Sequence, residues 1–169
     1  MKKTLLFALV VGLCLGLAGV AMAAGSDSQN VVVTVDDINE VSLATASTAI
    51  TIESGDAIAG TATVSKSLAS ALANELSWTT NGTGKKITVA VTTTPTDYTL
   101  KVTGSNISGG TLAGEGAAVS LSDEAADFIT GITTTAGDCD LQYTVDYNVS
   151  AGPVAEETNT VTYTIVAGT

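Results

Sequence analysis

The stretch LQYTVDYNVS, residues 141–150, decides the fold because its side chains alternate strictly between two kinds. Leu141, Tyr143, Val145, Tyr147 and Val149 fall on one face of an extended chain, and polar residues fall on the other. Successive side chains of a β-strand point to opposite sides, so a period of two is typical of a strand with one buried face. We therefore expect a long, half-buried strand here.

Five further runs alternate in the same way, and turn-forming Gly, Pro, Asn and Asp residues lie between several of them. They are VVVTVD (31–36), STAITIE (47–53), KKITVAVT (85–92), DYTLKVTG (97–104) and NTVTYTIV (159–166). Threonine fills many outward positions, where a β-branched side chain with a hydroxyl suits a solvated strand face. Strands of this kind predict an all-β protein, and more closely an immunoglobulin-like antiparallel β-sandwich.

Two segments depart from the alternation and predict one or two short helical turns. In SKSLASALANEL (65–76), an i, i+3, i+4, i+8 spacing suits a helix and comprises Leu68, Ala71, Leu72 and Leu76. In SDEAADFITGI (122–132), Ser122 is placed to cap a helical turn whose first residues are acidic. We expect a strand to follow that turn.

The N-terminus is typical of an export signal. Lys2 and Lys3 precede the apolar stretch 5–20, and Ala21-Met22-Ala23 has the small residues of a cleavage site. We expect a signal peptide over 1–23, removed together with Cys14, and a single β-sandwich domain over 24–169. The protein would then be secreted to the extracellular space or the bacterial cell surface, with no membrane contact after cleavage.

The charge excludes several classes of partner and site. The chain has 17 acidic residues against 6 basic ones, a formal net charge of −11, and Lys2 and Lys3 would leave with the signal peptide. Nucleic acids and anionic lipids both require basic surfaces, so we expect neither as a partner. With no histidine, the chain has no Ser-His-Asp or Cys-His arrangement, and we expect no enzymatic activity and no catalytic residues.

Cys139 is the one cysteine beyond the signal peptide, so an internal disulfide is excluded. Its neighbours Asp138 and Asp140 oppose formation of a reactive thiolate. Two interpretations remain: a small residue at the entrance to a strand, or an intermolecular disulfide.

Two features point towards a monomeric binding module for glycan or Ca²⁺, which is the alternative function. Oxygen ligands from flexible loops suit calcium, and the weak calcium candidates form two acidic turns. They are Asp36, Asp37, Asn39, Glu40, Asp138 and Asp140. Trp78 lies near a turn and would be the aromatic platform for a sugar. No cofactor is expected otherwise, and solvated surface acids explain the same turns.

The strand predicted over VVVTVD (31–36) is the basis of the main functional hypothesis. Val31, Val33 and Val35 have the i, i+2, i+4 spacing with which a donated strand fills a groove in a neighbouring molecule. The default alternative is that the same strand pairs within its own sheet. The sequence leaves both alternatives open.

The order of these strand patterns, from VVVTVDDINEVSL through AITI, TTNGTGKKITVAV and LQYTVDY to NTVTYTIVAG, resembles small secreted bacterial β-sandwich proteins. More loosely, it is similar to fimbrial and spore-coat-type surface proteins. The resemblance implies a structural protein displayed outside the cell, without catalytic residues, whose partners are copies of itself or other cell-surface components. The expected function is a non-enzymatic subunit of the cell surface or extracellular matrix that self-associates, as in a filament, through its N-terminal strand.

Overall fold

The computed structural model describes residues 28–114, 117–133 and 135–168. The chain divides into two compact units, Met1–Val35 and Asp36–Thr169. The predicted signal peptide over 1–23, with Cys14, lies outside the described residues. The larger unit therefore begins later than the predicted start of the mature chain at Ala24.

The protein is all-β, with ten strands and two short 3-10 helices in the described residues. The strands are β1 (Asn39–Leu43), β2 (Thr63–Ser67), β3 (Leu72–Thr80), β4 (Lys85–Val91), β5 (Tyr98–Ser105), β6 (Thr111–Leu112), β7 (Val119–Ser120), β8 (Ala126–Ile132), β9 (Thr135–Asn148) and β10 (Val161–Ala167). The 3-10 helices span Ser54–Asp56 and Val149–Ala151.

The strands form two antiparallel sheets. The first has the order β1-β3-β9-β5-β7, with β2 also paired to β9, and the second has the order β10-β4-β8-β6. The 14-residue β9 organises the first sheet, because β3 and β2 pair with successive parts of one edge while β5 pairs along the other. The prediction of a strand over 141–150 is confirmed from Leu141 to Asn148, whereas Val149 begins a 3-10 helix and is 47% exposed.

One hydrophobic core contains side chains from both sheets. Phe128 of β8 packs against Tyr163 of β10 with the ring centres 5.6 Å apart. The Tyr163 hydroxyl forms a 3.0 Å hydrogen bond with the hydroxyl of Tyr143 in β9, which joins the second sheet to the first. Burial raises the pKa of both tyrosines, so both hydroxyls stay protonated at neutral pH.

The predicted strands at 85–92, 97–104 and 159–166 are confirmed, with their faces. In β4, for example, Ile87, Val89 and Val91 are buried while the residues between them are half-exposed. The prediction fails for 31–36 and 47–53, which form no strand. The chain pairs first at Asn39, and Ile50 is half-buried against the core without joining a sheet.

The helical predictions are wrong. Residues 65–76 contribute to β2 and β3, because pairing with β9 supplies the backbone hydrogen bonds that a helix would have made internally. Leu68, Leu72 and Leu76 are four residues apart, an even spacing that also places them on one face of an extended chain. At 122–125 the chain bends without forming a helix before β8 begins.

Candidate functional site

The valine segment, Val31–Val35, is the most exposed apolar stretch of the described chain. Val31, Val32, Val33 and Val35 are 76%, 91%, 76% and 69% exposed. No strand pairs with it among residues 28–114, 117–133 and 135–168. Val, Val, Val, Thr and Val are residues that favour strands, so the segment has the composition of a strand without its hydrogen-bond partner. The three candidate valines therefore lie at the surface.

The residues that follow the valine segment are held firmly by the turn between β3 and β4. The Ile38 N–H donates to Asn81 Oδ1 at 2.8 Å, and Asn81 Nδ2 donates to the Asp36 carbonyl at 2.8 Å. The Asn81 N–H also donates to the Ile38 carbonyl at 3.2 Å. We call Asp36–Ile38 the stem. It fixes the point from which the first strand enters the sheet.

Asp37 strengthens the stem through its side chain. Its carboxylate accepts a 2.7 Å hydrogen bond from Asn39 Nδ2 and a 3.2 Å bond from Lys85 Nζ. These bonds, with that from Asn39 contributing most, hold the pKa of Asp37 below its usual value. The calcium candidate Asp37 is thus hydrogen-bonded to a second candidate, Asn39, and to Lys85.

The second pair of calcium candidates, Asp138 and Asp140, lies within β9 rather than in the predicted turn, and both side chains accept hydrogen bonds from other side chains. Asp138 accepts a 3.0 Å hydrogen bond from Ser108 Oγ, and the buried Asp140 accepts a 2.6 Å bond from Asn106 Nδ2. Asp36 and Glu40 are exposed at the start of the larger unit. In the part of the chain that the structure describes, no three His, Cys, Asp or Glu side chains come together as metal ligands.

Trp78 is not a surface platform, which corrects the sequence expectation. It is only 2% exposed, in β3, and its indole lies over Gly137 of β9. A Cβ at Gly137 would approach Trp78 Cζ2 to 2.4 Å, so the strand crossing requires a glycine there. The indole N–H has no hydrogen-bond partner among the residues that the structure describes. The even spacing of Leu76, Trp78 and Thr80 along the chain was the signal that all three are buried.

Cys139 lies inside β9 and is fully buried, rather than at the entrance to a strand. Burial, followed by the charges of Asp140 and Asp138, raises the pKa of its thiol to about 12. A thiol that is buried and protonated is a poor nucleophile and is not placed to reach another molecule.

Each of the four lysines in the described chain forms an ion pair with an aspartate. The pairs are Lys66–Asp56 at 2.7 Å, Lys85–Asp37 at 3.2 Å, Lys86–Asp127 at 2.8 Å and Lys101–Asp146 at 2.5 Å. With 17 acidic residues in the chain, most carboxylates have no lysine partner. Two copies of the protein therefore repel each other except where their contacting surfaces are uncharged.

Two depressions of the described surface lie at opposite ends of β4. One, of about 290 Å³, lies beside Lys85 and Lys86, whose ammonium groups are already paired with aspartates. The other, of about 280 Å³, is lined by threonines together with Glu157 and Asn159. No helix of the described chain is both long and apolar enough to cross a bilayer.

Comparisons of the chain with protein-family models, with curated proteins and with solved structures found no match.

Proposed function

We propose that this protein is a secreted, non-enzymatic structural subunit of the bacterial cell surface or extracellular matrix. Its two sheets would form an immunoglobulin-like sandwich, and the valine segment would join one copy to the next. The observation that carries the proposal is the exposure of the valine segment, at 69–91% for its four valines. An apolar, strand-forming segment without a partner is a site for strand addition.

The local charge supports association at this segment. Residues 28–35 contain no charged side chain, although the whole chain has a net charge of −11. Burial of Val31, Val33 and Val35 in a neighbour would contribute roughly 5–9 kcal/mol in total, at about 1.5–3 kcal/mol for each valine. The loss of translational and rotational freedom on association offsets much of that gain. Single contacts are therefore weak, and assembly depends on concentration and on salt that screens the acidic surfaces.

The stem supports the proposal because it fixes the point at which the valine segment ends and the first strand approaches its sheet. Asn81 holds Asp36 and Ile38 by their backbone groups, so the valine segment begins from a defined point. A strand presented from a fixed point meets a neighbour in one orientation, and head-to-tail contacts repeated in that orientation generate a filament when the rotation does not close into a ring.

The test is deletion of residues 24–35 from the protein produced with its own N-terminal leader, keeping the whole stem. Sedimentation velocity and electron microscopy would measure assembly, and thermal unfolding would measure stability. We expect assembly to be lost with an unchanged melting temperature, because the four valines are 69–91% exposed. A subunit that unfolds when the segment is removed would instead place the segment in its own core and refute the proposal.

A substitution series makes the same test without shortening the chain. Changing Val31, Val33 and Val35 together to Thr keeps β-branched side chains while reducing their hydrophobicity. Val32→Thr is the matched control, since Val32 is on the opposite face of an extended segment. The triple variant should weaken assembly far more than the control. Equal assembly in both variants would show that no apolar face of this segment takes part.

A further inference from the structure

The outer edge of β10 is an open edge of the second sheet. Among the described residues β10 pairs only with β4, over seven residues and without a break in register. Two hydrogen bonds mark the ends of the ladder: the Thr92 N–H donates to the Thr160 carbonyl, and the Gly168 N–H donates to the Gly84 carbonyl. They show which residues of β10 bond to β4. Because bonding alternates along an antiparallel pair, the backbone groups of Val161, Tyr163, Ile165 and Ala167 point away from β4.

The other edge strands carry the protection that natural sheets use, and β10 does not. Of the other strands with an unpaired edge, β1 and β2 have five residues each and contain Glu40 and Lys66, and β6 and β7 have two residues each. The sequence of β10, VTYTIVA, has seven residues with no charge and no proline. It is thus the longest regular edge in the described sheets and lacks any residue that would discourage an added strand.

The side chains at this edge are also incompletely covered. Tyr163 is buried, but Val161 and Ile165 on either side of it are only half-buried against the core. Thr162 and Thr164, on the opposite face, are exposed. A strand added beside β10 would need apolar residues at alternate positions facing the core, and polar or small ones facing water.

We infer that the β10 edge is the receiving site for the valine segment of a second copy of this chain. The inference rests on the proposed function and names the surface that it uses. The valine segment supplies Val31, Val33 and Val35 at alternate positions to cover Val161 and Ile165. Both partners are uncharged in a strongly acidic chain, so this pairing avoids the repulsion that separates other surfaces of two copies.

Intermolecular disulfide formation tests the pairing directly. With the core valines facing inward, Thr34 of the donor lies on the same face as Thr162 and Thr164 of the receiver. Thr34→Cys protein is mixed with Thr162→Cys or Thr164→Cys protein, each in a Cys139→Ala background, under mild oxidation. Thr63→Cys, an exposed threonine in the edge strand β2, is the matched control.

We expect a mixed disulfide to form with at least one of the two β10 variants roughly tenfold faster than with the β2 control. Equal rates, or a preference for Thr63→Cys, in a protein that still assembles through its valine segment would overturn the receiving site and leave the proposed function standing. If the unmodified protein does not assemble at all, both fail.

A double variant separates pairing between copies from pairing within one copy. Thr34→Cys/Thr164→Cys protein, oxidised at high dilution, should remain reduced or form dimers. A rapidly formed disulfide within a single chain would show that the segment covers its own β10 edge, and would refute donation to a second copy.

Discussion

The valine segment and β10 are nearly alike in sequence and opposite in structure. VVVTV and VTYTIVA both consist almost wholly of β-branched residues, and neither has a charge. One forms a regular ladder with β4, while the other is exposed and pairs with no strand in the described chain. The difference teaches that alternation gives a segment the ability to form a strand, whereas a neighbouring strand at the right distance decides whether it does so.

The largest loss of stability should follow a substitution in the core beneath β10. Phe128→Ala removes a fully buried ring that packs against Tyr163, and we expect a loss of about 3–5 kcal/mol in the free energy of unfolding. Chemical denaturation would measure it. Phe128→Leu, which leaves a smaller cavity, should lose less. A loss under about 1 kcal/mol for the alanine variant would mean that this core is not packed as described.

The same substitution at two valines, one in β4 and one in the valine segment, compares how much each side chain contributes to the free energy of unfolding. Val89 in β4 is 1% exposed, and Val33 is 76% exposed. Val89→Ala should lower the free energy of unfolding by about 1.5–3 kcal/mol, since a buried valine contributes that much. Val33→Ala should change it by less than about 0.5 kcal/mol, as is usual at the surface. Similar losses at both positions in denaturant titrations of the monomer would place the valine segment in its own core.

High pH should weaken the sheets without any change in the valine segment, which has no titratable side chain. The folded state keeps the Cys139 thiol protonated to about pH 12, against a usual pKa near 9. Above pH 9 the unfolded chain therefore loses this proton while the folded chain retains it, and the free energy of unfolding falls as pH rises. One group contributes at most about 1.4 kcal/mol for each pH unit.

Thermal unfolding from pH 8 to pH 10 would measure this decrease. The Cys139→Ala variant is the control, and its stability should decrease less over the same range. The raised pKa values of Tyr143 and Tyr163 act in the same direction at higher pH, so both proteins should lose stability beyond pH 10. An identical slope in the two proteins below pH 10 would contradict the assignment to Cys139.

A loss worth about one hydrogen bond is expected at the stem. Asn81→Asp replaces the amide that donates to the Asp36 carbonyl with a carboxylate that cannot donate at neutral pH. We expect a loss of about 1 kcal/mol, which is typical of one hydrogen bond. Hydrogen exchange at the Ile38 N–H, which bonds to the Asn81 side chain, would show whether the stem opens locally. No change in that exchange rate would mean that the Asn81 side chain does not hold the stem in place.

The alternation of side chains predicted much of the fold. It located β4, β5, β10 and the second half of β9, because each buries one face and presents the other to water. It could not distinguish a helix from a strand over 65–76, where Leu68, Leu72 and Leu76 suit both. Pairing with β9, a strand distant in sequence, decided between them.

The candidate site was only half predictable. The sequence predicted a strand over Val31, Val33 and Val35 that would pair either within its own sheet or with a neighbour, whereas the structure has no strand there. The sequence also could not show that β10 has an open edge. Strand order depends on contacts between distant segments, and a period of two in β10 is the same in a central strand and in an edge strand. Trp78 was misplaced for a similar reason, since the glycine that makes room for its ring, Gly137, is on another strand.

The buried position of Trp78 gives the molecule an internal fluorescent reporter. It is the single tryptophan of the chain, and its ring is shielded from water. Its emission should shift to longer wavelength when the sheets separate and should stay constant when copies join at a surface remote from the indole. One emission spectrum can therefore distinguish a denatured subunit from a folded subunit that has joined another copy.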